Sequence, residues 1–169
     1  GGEPLMNWPV VVALTHYCEQ RGRETGKDIR LTITTNATLL DDAKIDFINR
    51  HFKNCVLSID GRPEIHNRMR PDAGGRGTYD RVARHIRSFV AVRGDREYYL
   101  RGTFTRYNLD FDADVLHLAQ LGNQLSIEPV VAPPDSGYEI RLQDIPQIES
   151  AYERLACAML DAEERGEGF

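Results

Sequence analysis

The sequence is poor in cysteine, has a single tryptophan and contains no apolar run long enough to cross a membrane. Its three cysteines, Cys18, Cys55 and Cys157, are odd in number and widely separated. They therefore predict neither a disulfide framework nor a close-set metal site, and we expect them to serve as small core residues. Without a signal peptide or a run of about 20 apolar residues, we expect a cytoplasmic protein with no membrane partner.

The sequence also has no excess of positive charge. Its net charge is -5, its isoelectric point is near 5.5, and its lysine and arginine residues are dispersed along the chain. A nucleic-acid partner is therefore not expected. The histidines share no metal-like spacing, so no metal ligand is predicted among them.

Segments typical of strands and helices alternate along the chain, which predicts an α/β fold with a parallel sheet, either doubly wound or barrel-like. We expect one domain over residues 1–169, in which Asp41 or Asp42, and then Thr78, begin amphipathic helices. Gly122 is expected to end another helix in a left-handed conformation. The strands are predicted at 29–36, 54–60, 97–106 and 125–131, a loop at 61–77, and further helices after Asn7, at about 111–121 and from 145 onward.

In parallel sheets the chemistry gathers at the carboxyl ends of the strands. The stretch "GGEP" (1–4) offers two glycines and the Glu3 carboxylate, which suit a cationic amine, although a tag remnant is the simpler explanation of this stretch taken alone. Thr35 and Asn36 end the next segment and either line a pocket or cap a loop. Ser58 and Asp60 are two residues apart in the strand and are therefore expected to face the same side. Asp60 and Gly61 together also form a common turn sequence, which would explain Asp60 without a ligand.

Arg101 lies inside an apolar strand, where a guanidinium is costly to bury without an anionic partner. A bound carboxylate would satisfy it, and so would an internal acid. Glu128, near the end of the last strand, is a second charge of the same pocket. The two side chains either contact a ligand or pair with each other and serve only the structure.

Five stretches occur in an order that resembles the radical S-adenosylmethionine (SAM) enzymes of the SPASM group: "GGEP", "TTNATLL", "LSIDGRPEIHNRMRP", "GRGTYD" and "RGTFTRYNLDF". The similarity is strongest to the maturases that form thioether cross-links in SCIFF peptides, which are relatives of the anaerobic sulfatase-maturating enzymes. It spans nearly the whole chain. "LSIDG" with its following His and Arg is specific to this subgroup, whereas "GGEP" alone marks the wider superfamily.

The resemblance implies a partial (β/α)6 barrel, of which this chain is an internal portion whose first strand is missing. It makes "GGEP" the loop that meets the methionyl amino group of SAM, and it suits Arg101 to the SAM carboxylate. Ser58 is implied to contact the methionyl or ribose end. The SAM-binding residues implied in this way are Gly1, Gly2, Glu3, Thr35, Asn36, Ser58, Asp60, Arg101 and Glu128.

The chain departs from the family pattern at its cysteines. The CxxxCxxC loop that holds a [4Fe–4S] cluster is absent, and so is the cysteine-rich SPASM region. The resemblance therefore implies that the intact parent carries the cluster and cleaves SAM reductively, while this fragment alone is inactive. It also implies a Cys-containing precursor peptide as substrate and an electron donor such as a flavodoxin or ferredoxin.

Three other functions stay open at this point. A formylglycine-forming sulfatase maturase would differ in its substrate, and a non-catalytic module would hold a zwitterion or peptide at the same strand ends. An aldolase-like barrel is disfavoured because Lys27, Lys44 and Lys53 lie in predicted helices or loops. A missing first strand would also expose a sheet edge near Ile29, where a neighbouring chain is expected to pair.

Overall fold

A computed structural model describes residues 2–167 and has an α/β fold with one parallel sheet of four strands and six helices. Two short 3-10 helices cover Pro4–Asn7 and Leu142–Asp144. The strands are β1 (Thr32–Thr35), β2 (Asn54–Ser58), β3 (Tyr98–Phe104) and β4 (Leu125–Pro129). The helices are α1 (Trp8–Thr25), α2 (Asp42–His51), α3 (Pro63–Met69), α4 (Tyr79–Arg93), α5 (Phe111–Leu118) and α6 (Ile145–Glu164).

The strands lie side by side in the order β1-β2-β3-β4, and every adjacent pair is parallel. The predicted α/β class with a parallel sheet is therefore confirmed. Within the described residues β1 and β4 are the outer strands, so each has one edge without a neighbouring strand. Pairing of another chain along the β1 edge stays a prediction.

The two faces of the sheet differ in burial. Ile33, Leu57 and Leu100 lie on one face, where they form the main core with residues of α2, α4 and α5. Side chains of the opposite parity are partly or largely exposed, and we call their surface the open face. Because neighbouring strands are in register, side chains of one parity fall on the same face across the sheet. The residues of the open face are Thr32, Thr34, Asn54, Val56, Ser58, Tyr99, Arg101, Thr103, Ser126 and Glu128.

The amphipathic helices form where the sequence predicts them. The Asp41 side chain accepts a hydrogen bond from the Lys44 backbone N–H and so caps α2. Along α4 the apolar residues Val82, Ile86 and Phe89 are fully buried, as their helical spacing indicates. These helices pack on the buried face of the sheet.

Three local predictions were wrong. Of the three cysteines expected in the core, Cys55 is buried, but Cys18 is only partly buried and Cys157 is exposed. The segment predicted as a loop at 61–77 contains α3, since Pro63 occupies the first turn, where its missing N–H costs nothing. Gly122 does not adopt a left-handed conformation, and α5 already ends at Leu118. A Cβ at Gly122 would lie 2.6 Å from the Tyr98 hydroxyl, so close packing explains this glycine. No described helix has the length and apolar character that a membrane crossing requires.

Candidate functional site

Glu3 lies at the carboxyl end of β1 and is held there by three hydrogen bonds. Its Oε1 accepts from the Leu5 backbone N–H at 3.0 Å and from the Thr35 hydroxyl at 2.7 Å. Its Oε2 accepts from the Asn36 backbone N–H at 2.7 Å. All three donors are neutral, and no described cationic side chain pairs with this carboxylate. The charge of Glu3 is therefore fixed in place but not neutralised, which suits a cationic ligand.

Thr35 and Asn36 build the loop that holds Glu3. The Thr35 side chain is 1% exposed, and its oxygen also accepts from the Ala37 backbone N–H at 3.0 Å. The Asn36 side-chain oxygen accepts from the Thr38 backbone N–H and from its hydroxyl. These contacts occupy the Thr35 hydroxyl and the Asn36 carbonyl oxygen, and direct contact of either residue with a ligand stays a prediction.

Ser58 and Arg101 are register partners on the open face, and Ser126 continues their row on β4. The Arg101 Nη2 donates to Glu128 Oε2 at 2.5 Å. The side chains of Arg101 and Glu128 are 48% and 52% exposed, so the guanidinium is not buried as the apolar strand suggested. Arg101 and Glu128 therefore pair with each other, and both side chains are also accessible to a ligand.

Asp60 is buried just beyond the end of β2 and is held by Arg70. The guanidinium donates to both carboxylate oxygens, from Nε at 2.6 Å and from Nη2 at 3.0 Å. The backbone N–H of Thr103 on β3 donates to Oδ1 at 3.1 Å. Asp60 thus ties the α3 segment to two strands, and its role as a SAM contact stays a prediction. Arg70 was not predicted as a partner of Asp60, although both lie in the stretch "LSIDGRPEIHNRMRP".

His66 is a buried neutral histidine that supports this loop. Its Nδ1 accepts from the Asp60 backbone N–H at 3.3 Å. The Thr78 hydroxyl donates to the Arg70 carbonyl at 2.6 Å, so the Nε2–H of His66 donates to Thr78 Oγ1 at 3.0 Å. Burial lowers the pKa of His66 to about 4. The neighbouring charges of Asp60 and Arg70 have smaller and opposite effects on this pKa.

The lowered pKa of His66 predicts a loss of stability in mild acid. The unfolded chain binds a proton near pH 6.5 and the folded chain only near pH 4, so stability falls between these values as pH decreases. We expect a loss of at most about 3 kcal/mol from this group. Urea unfolding of the wild type and of His66→Asn between pH 7 and 4 measures it. Parallel pH profiles of the two proteins would contradict the assignment.

The described residues include charges that complement the methionyl group of SAM, but no ligand set for an iron–sulfur cluster. A methionyl group carries an ammonium and a carboxylate, and the carboxyl half of the sheet offers Glu3 for the first and Arg101 for the second. The Ser58 hydroxyl has no hydrogen-bond partner among the described residues. In contrast, no three Cys, His, Asp or Glu side chains within residues 2–167 are grouped to hold a metal. Gly1 lies outside the described residues, and Gly2 is exposed.

The fold is shared with two solved structures whose ligands are AdoMet and peptides, in agreement with the resemblance drawn from the sequence. The structure of native anSMEcpe with bound AdoMet and Kp18Cys peptide matches 99% of this chain with a TM-score of 0.84 at 19% identity. Streptococcus suis SuiB bound to its precursor peptide SuiA matches 96% of the chain with a TM-score of 0.63 at 17% identity. At these identities the structures establish the fold alone.

Sequence similarity extends to a curated protein of known activity. A cysteine-type anaerobic sulfatase-maturating enzyme of Clostridium perfringens is 30% identical over 91 residues, which are 53% of this chain and 24% of that enzyme. This chain spans 47% of anSMEcpe and 35% of SuiB. No protein-family model matches the chain. The SPASM and SCIFF assignments stay predictions.

Proposed function

We propose that this chain is the SAM-binding part of a radical SAM enzyme that modifies a peptide. The observation that carries the proposal is the Glu3 carboxylate, which three neutral donors fix at the carboxyl end of the parallel sheet without a cationic partner. The AdoMet-bound structure with the same fold supports the choice of ligand. A ligand with a positive charge neutralises Glu3 at little reorganisation cost, because the acceptor is already in position.

Each proposed contact follows from the chemistry of the side chain. Glu3 accepts hydrogen bonds from the ligand ammonium, and Arg101 donates to the ligand carboxylate. Ser58, beside Arg101 on the open face, donates to a methionyl or ribose oxygen. Gly2 leaves open space next to Glu3 in the chain, since a Cβ there would meet no atom of other residues within 4 Å. Gly1 is proposed for the same loop from the resemblance alone.

The reactive chemistry belongs to SAM, which in this enzyme class is the source of the radical that attacks the substrate. The described residues provide no cluster ligands, so the [4Fe–4S] cluster and its electron donor are proposed for the whole gene product. A Cys-containing peptide substrate and a thioether product are proposed by similarity. Two structures of the same fold support a peptide, since they contain a Kp18Cys peptide and the SuiA precursor.

A second candidate, conversion of a sulfatase cysteine to formylglycine, is favoured by the 30% identity to the Clostridium perfringens enzyme. The two products are chemically distinct, because a thioether keeps the cysteine sulfur and formylglycine has lost it. Mass spectrometry of a Cys-containing peptide treated with the reconstituted gene product separates them. Formation of neither product, and no deoxyadenosine under reducing conditions, would favour a non-catalytic binding module.

Replacement of Glu3 by Gln is expected to weaken SAM binding about 10- to 100-fold, which corresponds to the roughly 1.5–3 kcal/mol of a hydrogen bond to a charged group. Isothermal titration calorimetry of SAM with the whole gene product measures this change. Glu24→Gln on α1 is the matched control, since Glu24 is exposed and pairs only with its own helix. Equal affinities of the wild type and Glu3→Gln would contradict the proposed role.

A further inference from the structure

The ion pair of Arg101 and Glu128 occupies the position that the proposed function gives to a ligand carboxylate. Arg101 lies in register with Ser126 on β4, and Glu128 follows two residues later on the same face. This diagonal placement allows the Nη2–Oε2 contact of 2.5 Å. Within the described residues neither side chain has another hydrogen-bonded or ionic partner.

An exposed pair of this kind is easily exchanged. Both side chains are about half accessible to solvent, and such pairs contribute about 0.2–1 kcal/mol. A buried pair would resist exchange, because each separated charge would stay in the protein interior, where water cannot solvate it. The Asp60–Arg70 pair shows the contrast, since the Asp60 side chain is 4% exposed and also accepts from the Thr103 backbone N–H. Of these two pairs, only Arg101–Glu128 has an anionic partner exposed enough for water to take its place.

We propose that the ligand carboxylate displaces Glu128 from Arg101, so that Glu128 is a competitor of the ligand and not one of its contacts. This inference rests on the proposed function. Glu128 then acts as a specificity residue. When Arg101 loses the Glu128 carboxylate, only a ligand that has a carboxylate of its own can take its place. A ligand without that group leaves the Arg101–Glu128 pair intact and binds through Glu3 and its other contacts alone.

The substitution Glu128→Gln removes the competitor and leaves Arg101 in place. We expect SAM to bind about 1.5- to 5-fold more tightly, the ratio that corresponds to the free energy of an exposed pair. Decarboxylated SAM is expected to bind with unchanged or lower affinity, so the ratio of the two affinities rises. Calorimetry of both ligands with the whole gene product measures the change. The matched control is Asp46→Asn, which breaks the exposed pair of Asp46 and Arg50 on α2. It is expected to change the affinity for neither SAM nor decarboxylated SAM.

The outcomes separate this inference from the proposed function. Weaker SAM binding by Glu128→Gln would show that Glu128 contacts the ligand. The same ratio of SAM to decarboxylated SAM affinity in the variant and the wild type would show that no exchange takes place. Each result overturns the inference while SAM binding itself stands. Absence of SAM binding by the wild type would overturn both. Should Glu128→Gln not fold, the Arg Nε–H resonances of the wild type give the same answer. The Arg101 signal should shift with SAM and not with its decarboxylated form.

Discussion

Asp114→Ala is expected to lower the free energy of unfolding by about 3–5 kcal/mol, the usual cost of leaving one charge of a buried pair without its partner. The Asp114 side chain is fully buried on α5 and accepts from Arg62 Nε at 2.8 Å and from the Arg62 backbone N–H at 2.9 Å. The Asn108 side chain donates to its second oxygen at 2.9 Å. Removal of this carboxylate leaves the Arg62 guanidinium and the Asn108 amide without their main acceptor. The loop after β2 then loses its attachment to α5.

Urea unfolding followed by circular dichroism measures this change. The matched control is Asp110→Ala, which removes another carboxylate that contacts Arg62, at 3.0 Å, but whose side chain is 50% exposed. The control is expected to cost less than about 1 kcal/mol. The hydrogen bond from Arg62 lowers the pKa of the Asp110 carboxyl below its usual range. Equal losses from the two substitutions would show that the burial of Asp114 is not what stabilises this loop.

Gly61→Ala is expected to destabilise the protein by a similar amount, about 3–5 kcal/mol, because overpacking and backbone strain add. Gly61 has a φ of 131°, which residues with a side chain rarely adopt. A Cβ at this position would lie 2.4 Å from Asp114 Oδ1 and 2.5 Å from its Cβ. The glycine of the "SIDG" stretch is therefore needed for the contact between the β2 end and α5, in addition to the turn.

The matched control for Gly61→Ala is Gly75→Ala. Gly75 also has a positive φ, 77°, but a Cβ there would meet no atom within 4 Å. The control isolates the backbone strain, which is about 1–2 kcal/mol for a residue in the left-handed region. Thermal unfolding of both variants measures the difference. If Gly61→Ala were no less stable than Gly75→Ala, the close approach of Asp114 would not constrain this position.

Local patterns were sufficient to predict most of the fold. The Asp41 cap and the buried stripe of α4 follow from spacing alone, and the alternation of strands and helices predicted the parallel sheet. The strand ends were placed within a few residues, because fraying and turn residues blur the last pairs. Helix α3 was missed since its Gly and Pro signals resemble those of a loop, whereas Pro63 starts the helix.

The sequence proposes residues for the candidate site but does not predict which side chains they pair with. Glu3, Ser58 and Arg101 were identified from strand ends and from the resemblance. Asp60 is bound to Arg70 and Asp114 to Arg62, which are contacts across 10 and 52 positions. Such pairs depend on how α3 and α5 pack, and no local spacing encodes that. The Arg101–Glu128 pair was expected as one of two alternatives, and only the structure showed that it is accessible.

The fold is shared with anSMEcpe and SuiB over nearly the whole chain, yet this chain spans 47% of the first and 35% of the second. The activity, the peptide and the cluster of the whole gene product are therefore proposals. They depend on the capacity of this sheet to bind SAM by its methionyl end.

A crystal structure of the whole gene product with SAM tests that capacity most directly. We predict the SAM ammonium within hydrogen-bond distance of the Glu3 carboxylate and the SAM carboxylate on Arg101, with Glu128 turned away. SAM bound at the amino ends of the strands, or on the face that the helices cover, would contradict the account. So would a bound SAM that leaves Glu3 without a cationic partner.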